Sequence, residues 1–102
     1  MEPTVHYAKT RDGVSIAYTI LGRGDETLVC APSIWGDLHM YRSVPLMRAW
    51  YDGLAERGRR VVLYDSRNMG CSEHRDLDYS VAARLADLDA VVDSVGLEVF
   101  YL

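Results

Sequence analysis

The sequence predicts an α/β fold in three layers, α/β/α, built on a five-stranded mixed sheet with two helices. Three observations predict it. Two short segments, "TLVCAP" and "RRVVLYD", carry the apolar runs of strands buried on both faces. Two segments with apolar residues at helical spacing alternate with them, the rhythm of a parallel sheet with helical crossovers. Ahead of both, two strand-like segments flank Asp12-Gly13, a hairpin signal.

The first strand is expected over Thr4–Thr10, and Asp12-Gly13 is read as a type I′ turn. "VSIAYTIL" then alternates, with Val14, Ile16, Tyr18 and Ile20 on one face and Ser15, Ala17 and Thr19 on the other. "GRGDE" is a turn, and its Arg23-Gly24-Asp25 is read as turn chemistry rather than as an adhesion ligand. "TLVCAP" is the third strand, and "SIWGDLHMYR" is read as irregular. Ser43 is taken as the N-cap of a helix with Pro45 in its first turn and Leu46, Met47, Trp50 and Leu54 on its apolar side. Gly58 ends it, and "RRVVLYD" is the fourth strand. After a polar loop, Ser80 caps a second helix with Val81, Leu85, Leu88, Val92 and Val95 as its stripe. Asp87, Asp89 and Asp93 are placed on a solvated side. Gly96 closes that helix, and Leu97–Leu102 is the fifth strand.

The order is β-β-β-α-β-α-β in one domain, residues 1–102, with an antiparallel opening hairpin and parallel strands after it. The composition, 49% hydrophobic and 25% charged, is that of a folded chain. A net charge of −4 gives no electrostatic reason to expect nucleic acid or an anionic membrane as partner. Cys30 and Cys71 are too few for a disulfide framework. The N-terminus lacks the basic and apolar regions of a secretory signal, so a reducing, cytoplasmic location is expected. Right-handed crossovers allow helices on both faces only if the winding reverses. With the fourth strand on one side of the third and the fifth on the other, a crevice opens at their C-terminal ends, where open α/β sheets bind ligands.

Four stretches, "DGVSIAYTILG", "TLVCAPSIWGD", "VVLYDSRNMGCS" and "DLDAVVDSVGLEVFYL", together resemble the N-terminal part of the α/β-hydrolase fold family, most of all bacterial hydrolase domains. The resemblance covers nearly the whole chain. It implies an incomplete α/β-hydrolase fold, in which a buried strand leads to an oxyanion loop. A second strand ends in a D-x-R-G-x-G-x-S loop, and the last strand feeds a nucleophile elbow, G-x-S-x-G.

Several site roles follow from that resemblance. Ile34 and Trp35, after Ser33, stand where the family presents backbone amides of the oxyanion hole, with Pro32-Ser33 replacing its His-Gly. Asp65, Arg67, Gly70 and Ser72 match the family's loop beside the active site, and Asn68 replaces its first Gly. The nucleophilic Ser, the acid and the His of the triad have no counterparts in these residues. Cys71 and His74 have metal-like spacing, but a structural zinc site needs a second pair. Neither a metal nor a cofactor is expected.

The implied function is that of the N-terminal segment of a serine-type hydrolase acting on small ester or acyl substrates, inactive by itself. The alternative is a non-catalytic binding or oligomerisation module. It would pair with a second copy or a partner chain along Leu97–Leu102. A dinucleotide-binding half-domain ranks last, because no G-x-G-x-x-G follows a strand.

Overall fold

A computed structural model of the chain describes residues 4–32, 36–74 and 80–97. Its elements run β1 (His6–Lys9), β2 (Ser15–Gly22), β3 (Glu26–Cys30), α1 (Asp37–Ser43), α2 (Pro45–Ala55), β4 (Arg59–Tyr64) and α3 (Val81–Val95). The sheet order is β1-β2-β4-β3. β1 and β2 are antiparallel, β2 and β4 are antiparallel, and β3 and β4 are parallel. The described residues thus contain four strands and three helices, where five strands and two helices are expected. The fifth strand, apart from Leu97, lies outside the described residues.

The opening hairpin closes differently from the sequence reading. Thr10 and Val14 pair through a main-chain bond of 2.9 Å, and the Gly13 amide donates to the Thr10 carbonyl at 3.0 Å. This leaves a three-residue loop with only Gly13, at φ 84°, in the left-handed region. A type I′ turn needs positive φ at both central residues, and Asp12 has none.

β4 shows why the sheet has two cores. Val62 and Tyr64 face the side covered by α3, with Val14, Ile16, Tyr18, Val29 and Val91. Val61 and Leu63 face the side of α1 and α2, with Ala17, Leu21, Leu38, Tyr41 and Tyr51. Each buried aliphatic side chain contributes roughly 1.5–3 kcal/mol, so alternation on an interior strand stabilises both faces at once. β2 alternates as read, but it lies between β1 and β4, so Ala17 and Thr19 are as buried as Ile16.

The helices depart most from expectation. "DLHMYRS" forms α1, and Ser43 is its last residue rather than an N-cap. Val44 separates the two helices in an extended conformation, φ −120° and ψ 109°, as a residue before proline must, and Pro45 opens α2 at N1. α2 buries Tyr51 and packs Met47, Leu54 and Ala55 against the core, whereas Leu46 and Trp50 are 78% and 62% exposed. On α3 the Ser80 hydroxyl accepts the Ala83 amide at 3.1 Å and Gly96 closes the helix. Its buried face, however, is Ala83, Asp87, Ala90 and Val91, while Val81 and Leu85 are exposed.

Candidate functional site

β3 and β4 are parallel neighbours, so the loops that leave them emerge side by side at the sheet edge where α/β folds hold ligands. Asp65 is the first residue past β4 and is fully buried. Its carboxylate collects three main-chain donors. Oδ1 accepts from the amides of Leu38 at 2.9 Å and His39 at 3.2 Å, and Oδ2 accepts from the amide of Cys71 at 2.8 Å.

Leu38 and His39 lie in the first turn of α1, where amides have no partner within the helix. The N-cap residue is Gly36, which has no side chain to offer. Asp65 therefore caps α1 from the end of a strand, and its charge suits the positive end of the helix. Gly36 (φ 85°) and Gly70 (φ 46°) flank the carboxylate, and a Cβ on either would intrude on its oxygens. Burial pushes the Asp65 carboxyl above its ordinary value, and the three amides offset only part of that.

The loop after Asp65 is pinned along its length. The Ser72 hydroxyl donates to the Asp65 carbonyl and accepts the Ala17 amide at 2.8 Å. The Glu73 amide donates to the Ser15 carbonyl at 2.9 Å, and the Ser15 amide donates to the Glu73 carboxylate at 3.0 Å. Asn68 sits at φ 61°, a left-handed conformation that Asn tolerates better than most side chains, and its amide donates to the Glu73 carbonyl at 2.9 Å.

Arg67 is buried within this loop. Its Nε and Nη2 donate to Asp87 Oδ1 at 3.0 and 2.8 Å, and its main-chain amide donates to Asp87 Oδ2 at 3.1 Å. Nη1 reaches Asp12 Oδ2 at 2.7 Å, and Nη2 also meets the Ala83 carbonyl at 3.3 Å. The bonds to Arg67, then that from Thr10, hold the Asp12 carboxyl well below the usual range. The same two acids push the Arg67 guanidinium further up. One side chain thus ties the loop to α3 and to the opening hairpin. Asp87, read from sequence as solvated, is fully buried by this pairing. The available signal was that Ala83, Ala90 and Val91 stand three or four residues from Asp87 and make one apolar face with it, while Asp89 lies on the opposite side.

Of the residues singled out from sequence, Asp65, Arg67, Asn68, Gly70 and Ser72 share this one loop. Ser33, Ile34 and Trp35 lie outside the described residues. Cys71 Sγ receives Arg42 Nη1 at 3.4 Å, while the His74 ring donates to the Gly70 carbonyl at 2.8 Å rather than engaging the thiol. Among the described residues no group of three or more His, Cys, Asp or Glu could hold a metal ion. Cys30 faces the α1/α2 core, where burial, then the charge of Asp37, pushes its thiol up to about 11. A cavity of about 240 Å³ adjoins the strand ends between Pro32, Tyr64, Ser66 and the α3 residues Leu85 and Leu88. Among the described residues no helix is long and apolar enough to cross a membrane.

No family model matches the chain, and no curated protein matches it. Solved structures do. A hydrolase from Pseudomonas aeruginosa PA01 is similar at a TM-score of 0.79 and 28% identity, over 95% of this chain and 34% of its own. A proline iminopeptidase from Mycobacterium smegmatis gives 0.75 and 20%, over 95% and 33%. An esterase from Exiguobacterium antarcticum gives 0.74 and 18%, over 92% and 32%. The chain spans about a third of the length of each.

Proposed function

From the premise that the chain carries the N-terminal part of the α/β-hydrolase fold, we propose that it supplies the oxyanion side of a serine-type hydrolase. The parent activity is hydrolysis of small ester or acyl substrates. In this reading Ile34 and Trp35 present backbone amides to the charge that develops on the substrate carbonyl oxygen. Attack by a Ser and proton transfer by a His belong to residues outside these 102, so the chain alone is inactive. One observation carries the reading. The loop resembling D-x-R-G-x-G-x-S is bonded through Asp65 to the first turn of α1, directly after the stretch that would hold the oxyanion amides. Its neighbours in fold include a hydrolase and an esterase, which fits the same chemistry.

The test is steady-state hydrolysis of p-nitrophenyl acetate by the purified chain and by its Cys71→Ser variant. The expected result is no saturable turnover from either. Saturable turnover that survives loss of the Cys71 thiol would overturn the reading.

A second reading is a module that pairs with a second copy or a partner chain along Leu97–Leu102. Among the described residues β3 has a strand partner on one side only, an edge that either the chain's own last segment or another chain could cover. Sedimentation at high concentration decides it: a dimer supports this reading, and a stable monomer counts against homodimerisation.

A further inference from the structure

We propose that Asp65 is a positioning residue whose ionised carboxylate locks the opening turn of α1 and the loop over residues 66–72 into one geometry. Its catalytic meaning rests on the hydrolase reading above, because the main chain leaving β3 enters α1 through Gly36. The lock itself rests only on contacts among described residues.

The side-chain chemistry at this position is narrow. Three N–H groups converge on two oxygens, and every one of them is a donor. An amide side chain would turn its own NH₂ toward at least one of them, whichever way it was flipped. A proton on either carboxyl oxygen does the same, placing a donor against a donor. Glu would add a methylene where Gly36 and Gly70 already close on the carboxylate from both sides. Asp65 is fully buried, so bulk water cannot take over the orphaned amides. An ionised Asp is the side chain that satisfies all three donors in this space.

The charged and titratable groups around it are few. Asp37 and His39 lie on α1, and the charge of His39 favours the carboxylate. Tyr64 precedes it on β4. Cys71 follows in the loop, and Arg67 is committed to Asp87 and Asp12. On β2 the adjoining residue is the uncharged Ala17, whose carbonyl accepts the Asp65 amide at 3.1 Å.

The experiment follows main-chain amide resonances of the whole 102-residue chain against pH, without substrate. Leu38, His39 and Cys71 are expected to share one titration midpoint, above the ordinary carboxylate value of 3.8. It persists in His39→Gln and is absent in Asp65→Asn. In Asp65→Asn the three amides also exchange with solvent about tenfold faster or more, relative to Val62 in the sheet. Separate midpoints for the three amides, or unchanged exchange in Asp65→Asn, would overturn the proposal. Where Asp65→Asn does not fold, the wild-type and His39→Gln titrations decide alone. No substrate enters this measurement, so its failure leaves the hydrolase reading standing, and failure of the ester assay leaves the lock standing.

Discussion

Arg67 and Asp87 form a buried ion pair, 2.8 Å from Nη2 to Oδ1, with 1% and 0% of their side chains exposed. The pair joins the loop after β4 to the middle of α3. Removing one partner strands the other charge in the interior. Asp87→Ala is therefore expected to cost about 3–5 kcal/mol in urea unfolding. Replacing both partners together, as Arg67→Met with Asp87→Leu, is expected to restore most of that. A double variant no more stable than Asp87→Ala would show that the main-chain bond from Arg67 to Asp87 carries the stability instead.

The other end of the guanidinium behaves differently. Asp12 meets Arg67 at 2.7 Å, but its side chain is 47% exposed. Solvent screening limits Asp12→Ala to a loss of about 1 kcal/mol or less at neutral pH. The folded state holds this carboxyl below its unfolded value of 3.8, so it binds fewer protons there than the unfolded chain does. The contribution of Asp12 is complete above pH 3.8 and fades as pH falls toward the lower folded value. Asp12→Asn should thus flatten the acid limb of the stability curve. An unchanged acid limb would contradict the pairing.

Asp65 has the opposite sign. Its folded carboxyl lies above 3.8, so the folded chain binds more protons, and its contribution to stability declines as pH rises from 3.8 through the folded value. The geometry around it also bears on two glycines of positive φ. Gly36 and Gly58 share a positive φ, 85° and 74°, but Gly36 has ψ 129°, outside the left-handed helical region, and a Cβ there would also meet the carboxylate. Gly58→Ala should cost about 1–2 kcal/mol for the left-handed backbone alone. Gly36→Ala should cost clearly more by thermal unfolding, from its backbone and from the carboxylate together, and equal costs would contradict the close approach of Gly36 to Asp65.

The buried side of α2 gives a fourth test. Tyr51 is buried and its hydroxyl is pushed up by burial, then by the charge of Asp37, whereas Trp50 stands out in solvent. Tyr51→Ala is expected to destabilise by about 3–5 kcal/mol, as large-to-small changes at buried aromatics do. Trp50→Gln should stay within about 0.5 kcal/mol of the parent. Comparable losses at the two positions would return the apolar face of α2 to Leu46 and Trp50.

The sheet was largely legible because strand signals are local: the alternation in β2 and the apolar run of β4 needed no partner to be recognised. The helix faces were not. An apolar count favours Trp50 and Leu85, but the groove each helix fills is set by the neighbouring strands, and it takes Tyr51 and Ala83 instead. α1 was invisible for a related reason. Its cap is Asp65, distant in sequence, and "SIWGDLH" holds no capping side chain at the position that needs one. The loop from Asp65 to Ser72 was recognised by pattern, yet its chemistry was not. Neither the amides of Leu38 and His39 on Asp65 nor the acid behind Arg67 can be read from spacing, since they come from α1 and α3.

The most direct measurement of the central claim is to read the coding DNA past the Leu102 codon. The proposal that these residues are the oxyanion side of a serine hydrolase predicts an open frame that runs at once into G-x-S-x-G. A stop codon directly after Leu102 would contradict it.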